Sequence, residues 1–270
     1  MKRIERVGTI IRVLSKNPYK LYSLNYFCQL LGAAKSSISE DINIAKDILD
    51  TMDLGRIETI SGVKGGLRLV PSISRESGLA LLERFSQRLG DKSRILGGGL
   101  LYLSDMMFDS DLVSGAAEIF AGKFINSGAD YVVTIETKGI PVALMTARFM
   151  NLPLAVVRRE SRISEGTTIG INYFSGSSDR VQKMYLSKRA ILPGSKAIII
   201  DDFMRAGGSV RGIRELLGEF NVDIAGTGIM IVSREPVQKK VKDYTPLIYL
   251  EGINEDDGFM KISINEEVFT

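Results

Sequence analysis

Apolar positions in the first fifty residues recur three and four apart. Ile4, Val7, Ile10, Ile11 and Leu14 form one helical stripe that Asn17-Pro18 ends. A second short helix is predicted after Ser23, a capping residue, with Leu24, Phe27, Leu30 and Leu31 turned inward and a stop at Gly32. Ile38, Ile42, Ala45 and Leu49 then share one face, and the capping box Ser37-x-x-Glu40 places the start of a third helix near Ser37. Beyond it the period shortens. Arg56–Ile60 and Leu67–Val70 are β-prone runs around the glycine-rich tip Ser61–Gly66, which predicts a hairpin.

Three helices followed by such a hairpin is the winged helix-turn-helix pattern. In it the third helix offers its first turn to base edges and phosphates, so Lys35, Ser36, Ser37 and Ser39 are candidate DNA contacts, with Lys64 and Arg68 on the wing and Arg3 and Arg6 as backbone contacts. A small oligomerisation or docking module has the same pattern and accommodates Glu40 and Asp41 more easily. Pro71-Ser72-Ile73-Ser74 marks the junction, giving domains 1–73 and 74–270, and Arg75–Leu89 reads as a helix into the second.

From about Asp111 helices alternate with apolar strands. Strands are expected at 131–135, 154–157, 197–200 and 226–232, and helices near 113–126, 140–150 and 209–219. Such alternation predicts an α/β fold with a doubly wound parallel sheet.

Composition narrows the chemistry. The 270 residues are 44% hydrophobic and 25% charged, ordinary for a globular protein, and contain no histidine and a single cysteine. Ser-His-Asp and Cys-His catalysis and the usual zinc sites are therefore excluded, leaving carboxylates for metals. Cys28 reads as a small buried residue. No apolar run approaches the ~18 residues of a membrane span, and the first residues lack a signal-peptide core, so a cytoplasmic protein without membrane partners is expected. Residues 1–70 hold 11 Lys and Arg against 7 Asp and Glu, so the net positive charge of the chain, +3, comes from the segment that resembles a DNA-binding unit.

The richest chemistry follows the apolar run Ala197–Ile200: Asp201, Asp202, Phe203, Met204, Arg205, Ala206, Gly207, Gly208 and Ser209. Ligands of open α/β sheets bind at the carboxyl ends of strands. Gly207 and Gly208 let backbone amides approach an anion, the predicted helix from Ser209 adds its N-terminus, and the two carboxylates suit ribose hydroxyls or a divalent cation. This stretch resembles the phosphoribosyl pyrophosphate (PRPP) motif of type I phosphoribosyltransferases. It departs from that family at Arg205 and Ala206, where two threonines usually contact the 5′-phosphate. Thr137, Lys138 and Gly139, in Glu136–Pro141, resemble the family's pyrophosphate loop, and Arg158 and Arg159 open a segment, 158–186, that resembles its flexible loop. Phe203 and Tyr102 are aromatic candidates for stacking on a base, though either suits a core.

A winged helix on a type I phosphoribosyltransferase-like domain resembles the purine operon repressors of Gram-positive bacteria. The resemblance covers nearly the whole chain and is carried best by residues 34–41 (AKSSISED), 137–141 (TKGIP), 168–178 (TIGINYFSGSS) and 201–209 (DDFMRAGGS). It implies a homodimeric repressor of purine synthesis and transport genes. In that family PRPP, with Mg2+ carried on its pyrophosphate, acts as inducer by weakening operator binding without group transfer, and guanosine tetraphosphate competes for the same pocket. The main alternative is a working purine phosphoribosyltransferase with an N-terminal oligomerisation module; an RNA-binding regulator is weaker, since no RNA-recognition signature occurs.

Overall fold

The computed structural model describes residues 1–62, 65–174 and 181–270. The chain forms two compact units, one of Met1–Ser74 with Arg148–Asn151, the other of Arg75–Ala147 and Leu152–Thr270.

In the first unit, α1 (Arg3–Lys16), α2 (Leu24–Leu31) and α3 (Lys35–Thr51) precede a hairpin of β1 (Arg56–Ile60) and β2 (Gly66–Val70). Val7, Ile10, Leu14, Phe27, Ile38, Ile42, Ala45 and Leu49 meet in one core with Ile57, Leu67 and Leu69 of the hairpin. Ser23 caps α2 by accepting the Tyr26 N–H at 3.1 Å, and Gly32 closes it in the left-handed conformation at φ 59°. Tyr22 pairs with Leu67 through backbone bonds of 2.9 and 2.8 Å, adding a third short extended segment beside the wing.

Three expectations need correction here. α3 starts at Lys35, with Ala34 as an extended N-cap that makes no side-chain bond, so Ser37 lies inside the first turn and forms no capping box. Leu30 points outward at 48% exposure, and Cys28 is only half-buried, because the core-facing arc of this eight-residue helix is filled by Phe27 and Leu31.

The second unit opens with α4 (Arg75–Leu89), a small flap of β3 (Ile95–Gly97) and β4 (Leu100–Leu101), then α5 (Ser104–Met107) and α6 (Ser110–Phe124). There follow β5 (Tyr131–Ile135), α7 (Ile140–Met150), β6 (Leu154–Val157) and a long antiparallel hairpin of β7 (Thr168–Phe174) and β8 (Val181–Ser187). The chain ends with β9 (Lys196–Met204), α8 (Gly208–Gly218), β10 (Asp223–Ser233), β11 (Thr245–Asn254) and β12 (Phe259–Ile264).

Six strands form one sheet in the order β12-β11-β10-β9-β5-β6, parallel except for β12 at one edge. The order reverses beside β9, and β9 and β5 leave the sheet at their carboxyl ends into the two glycine-bearing loops, the position where such sheets hold ligands. Ala197, Ile198, Ile199 and Ile200 are fully buried, as a strand covered on both faces requires. β9 runs on through Met204, four residues beyond the apolar run. Asp201, Asp202 and Phe203 are therefore strand residues rather than loop residues, held in register by pairing of Ile229 with Asp201 and Ile231 with Phe203.

Candidate functional site

The end of β9 and the turn into α8 line a cavity of about 380 Å3. Asp202, Phe203, Met204, Arg205, Ala206, Gly207, Gly208 and Ser209 all face it, joined by Lys138 and Arg159. Gly207, at φ 84°, is the left-handed N-cap of α8, and the side chain of Val241 leaves no room there for a Cβ. The first amides of α8 are thereby presented to the cavity, with Lys138, Arg159 and Arg205 as cations around them. The arrangement suits a phosphorylated ligand.

Asp201 does not line the cavity. Its carboxyl is buried behind Gly139, where a Cβ would come within 2.5 Å of Asp201 Oδ1 and 2.6 Å of the Thr134 hydroxyl. Burial, then the neighbouring Asp202 charge, push its pKa well above the usual carboxylate range. Burial also raises Asp202, against the pull of Lys138, and the Asp202 N–H donates to Asp201 Oδ1 at 3.0 Å. No cluster of three or more His, Cys, Asp and Glu suited to a metal occurs among the described residues. Asp202 is half-buried at the cavity wall, where it can meet hydroxyls or a cation that a ligand brings.

Arg158 and Arg159 part company. The Arg159 N–H donates to Glu136 at 2.7 Å, and the Arg158 guanidinium bonds the other Glu136 oxygen at 3.2 Å and sits 3.4 Å from Glu165. Burial opposes ionisation of Glu136, but these two donors outweigh it and hold the carboxyl below its ordinary range. Arg158 is accordingly committed to its acids and lines a different, smaller cavity. Arg159 reaches the main cavity and donates to the Tyr173 hydroxyl at 2.9 Å and to Gln182 at 3.0 Å, tying it to both strands of the β7–β8 hairpin.

Thr137 and Gly139 likewise stay off the lining, Gly139 acting through its close approach to Asp201. Tyr102 is 48% exposed and not on the lining; its N–H donates to the Arg94 carbonyl at 2.8 Å, and its carbonyl accepts from the Arg94 guanidinium at 3.1 Å. Gln182, Gly99, Leu100, Leu101 and Leu103 line the cavity without having been singled out from the sequence. The run Gly97-Gly98-Gly99 was a readable signal for the flap, whereas nothing local marks Gln182.

Lys239 was also missed. Its ammonium donates to the carbonyls of Arg205 at 2.7 Å, Ser233 at 2.6 Å and Pro236 at 2.6 Å. The Lys240 N–H bonds the Ala206 carbonyl at 2.8 Å. Residues 236–241 thus strap the ligand loop to the end of β10.

In the first unit the start of α3 is open to solvent: Lys35, Ser36 and Ser39 are exposed and Ser37 half-buried. The arginines behave differently. Arg6 bonds the fully buried Asp41 at 2.6 Å, Arg3 bonds Glu40 at 2.6 Å, and Arg68 grips Glu58 at 2.9 Å while stacking 3.8 Å from the Tyr19 ring centre. These ion pairs brace the wing and the third helix, so Arg6 and Arg68 are structural before they are anything else. Lys64 and Ser175–Arg180 lie outside the described residues.

The comparisons with known proteins agree with this division. Residues 2–71 match the family model "Bacterial purine repressor, N-terminal", and residues 110–261 match "Phosphoribosyl transferase domain". The chain is 39% identical over 94% of its length, and 93% of the relative's, to a probable purine biosynthesis transcriptional regulator PurR of Streptococcus pneumoniae. It is 36% identical over 97% of its length to the purine biosynthesis transcriptional repressor PurR of Bacillus subtilis, covering 92% of that relative. An activator of the same name from Lactococcus lactis is 35% identical over 94% of each chain. The adenine phosphoribosyltransferase structure from Rhodothermus marinus superposes with TM-score 0.55 at 18% identity, covering 64% of this chain and 99% of that one, a likeness of fold.

A purine-repressor N-terminal domain joined to a phosphoribosyltransferase domain defines a transcriptional regulator built on an enzyme fold. The chain belongs to the PurR family of purine biosynthesis transcriptional regulators. No helix among the described residues is long and apolar enough to cross a membrane.

Proposed function

We propose that this protein is a cytoplasmic, homodimeric repressor of purine synthesis and transport genes. Its winged helix binds operator DNA, and PRPP in the second-unit cavity lowers that affinity and so induces transcription. The observation that carries the reading is the cavity itself, with Asp202, Lys138, Arg159 and the amides after Gly207 converging on it. The loop cradles the 5′-phosphate, Lys138 and Arg159 take the pyrophosphate, and Asp202 takes the ribose hydroxyls. Mg2+ arrives with the ligand, where it neutralises pyrophosphate charge. Guanosine tetraphosphate, carrying the same diphosphate chemistry, competes for the cavity.

Fold alone does not make an enzyme of this domain. Arg205 and Ala206 stand where hydroxyl contacts to the phosphate would be in a transferase, and relatives sharing the whole chain carry the names of regulators. If PRPP changes DNA affinity by a factor of about 5 to 150, the two sites are coupled by roughly 1 to 3 kcal/mol, and DNA weakens PRPP binding equally.

The deciding experiment is fluorescence anisotropy of a labelled purine-promoter duplex at fixed salt, with and without PRPP and magnesium. Specific binding that PRPP weakens supports the reading. Binding that PRPP strengthens makes the protein an activator of the kind named in Lactococcus. Absence of specific binding, with turnover of adenine, guanine, hypoxanthine or xanthine, makes it a transferase.

A further inference from the structure

The flap between β3 and β4 turns through Gly97, Gly98 and Gly99, all three with positive φ (86°, 61° and 72°). In this turn the amides of Gly98 and Gly99 point the same way, and both donate to one carboxylate, that of Glu255 in the turn after β11, at 3.3 and 2.6 Å. Successive backbone N–H groups arranged like this form an anion-binding concavity. Gly99 lines the ligand cavity, and a Cβ there would lie 3.8 and 3.9 Å from the two terminal nitrogens of Arg205. Arg205 is exposed, and among the described residues its guanidinium has no ion pair. At Gly99 the rim of the cavity therefore sets an exposed cation beside a pair of amides that already hold a carboxylate.

We propose that the Gly98 and Gly99 amides and the Arg205 guanidinium form a second anion subsite at the mouth of the cavity, gated by Glu255. The group it takes is a phosphoryl group of a polyphosphorylated ligand whose other end lies in the loop after β9. Glu255 acts as an internal competitor: a ligand phosphate must displace the carboxylate, and apparent affinity falls by the fraction of time the amides are filled. The inference rests on the reading of the cavity as a phosphate site and adds to it a role for Arg205, which in that reading merely replaced a threonine.

The test is calorimetric titration of the full chain with sodium tripolyphosphate at constant ionic strength, comparing wild type with Glu255→Gln and Glu255→Ala. Both variants should bind about tenfold more tightly, as expected if the plug fills the amides roughly nine-tenths of the time. Adding Arg205→Ala should abolish the gain. Asp256→Asn, which removes a charge from the same exposed turn without touching the flap amides, should leave affinity near wild type. An unchanged or weaker affinity in both Glu255 variants overturns the proposal, as does an equal gain in Asp256→Asn or a gain that survives Arg205→Ala. Because the readout is the difference made by Glu255, failure of PRPP to bind the wild type would count against the effector reading and leave this result standing.

Discussion

Asp41, whose side chain is fully buried on α3, is held by Arg6 of α1 across 2.6 Å. The bond raises the pKa of Arg6, and Arg3 adds a weaker contact to the same carboxylate at 3.5 Å. A carboxylate at this point of a helix proposed to read DNA looks unsuitable until its partner is seen: facing inward and paired with Arg6, it fixes the helix instead of repelling phosphate. Removing one partner of such a pair strands the other. Arg6→Met should therefore lower the melting temperature of the first unit's transition by more than about 5 °C in a calorimetric scan. The Arg6→Lys variant should recover part of that loss.

Lys35 and Arg68 separate two roles that look alike in the sequence. Lys35 is exposed at the start of α3, whereas Arg68 is bound to Glu58 and stacked on Tyr19. Lys35→Ala should flatten the slope of log K against log salt by about 0.9. Arg68→Ala should leave that slope unchanged and lower the melting temperature instead, since its charge is already spent on Glu58. Operator titrations at four salt concentrations distinguish the outcomes.

Asp201 and Asp202 should be needed for induction and dispensable for DNA binding. The double Ala variant should hold operator as tightly as wild type, yet PRPP should no longer release it. Loss of operator binding by a variant with native circular dichroism would contradict this division of labour.

The pH dependence of stability carries a sign. Asp201 has its folded pKa raised by burial and by Asp202, so the native state holds a proton that the unfolded chain releases near the ordinary value of 3.8. Native stability then falls as pH rises from that value through the raised folded pKa, and is level above it. Asp201→Asn, which carries no charge to bury, should match or exceed wild-type stability at neutral pH and lose that advantage as pH falls. Urea melts at pH 4.5 and 7.5 provide the comparison.

Lys239 should matter to the effector and little to the operator. Lys239→Met removes three bonds that hold the loop carbonyl of Arg205 to Ser233 and Pro236. PRPP binding should weaken about tenfold, the loss expected for one charged hydrogen bond's worth of positioning. Operator affinity without PRPP should stay within twofold, by about the scatter of the assay.

Periodicity carried much of the architecture into view. Ser23 and Gly32 bound α2 as local capping chemistry requires, and the apolar runs at 131–135, 154–157 and 197–200 became neighbouring parallel strands. Local rules failed where a distant partner decides. The start of α3 is set by the extended backbone at Ala34 rather than by a serine hydroxyl, and β9 continues through the two acids because β10 pairs with Asp201 and Phe203. The strands at 245–254 and 259–264 were not anticipated; the burial of β11 does not alternate, which leaves no period of two to read. The site was legible as a loop and its flanking cations. Which arginine reaches the cavity was not, since Glu136 and Glu165 claim Arg158 and leave Arg159 to the hairpin.

Gly139 has no space for even a methyl group between Asp201 and Thr134. The loop after β5, which a ligand would touch through Lys138, is thus in direct mechanical contact with strand β9 just before its own ligand loop, at a point with no slack. A push on either is transmitted to the other within the width of one atom, so the pair must answer a ligand as a single rigid lever and cannot take up its two ends independently.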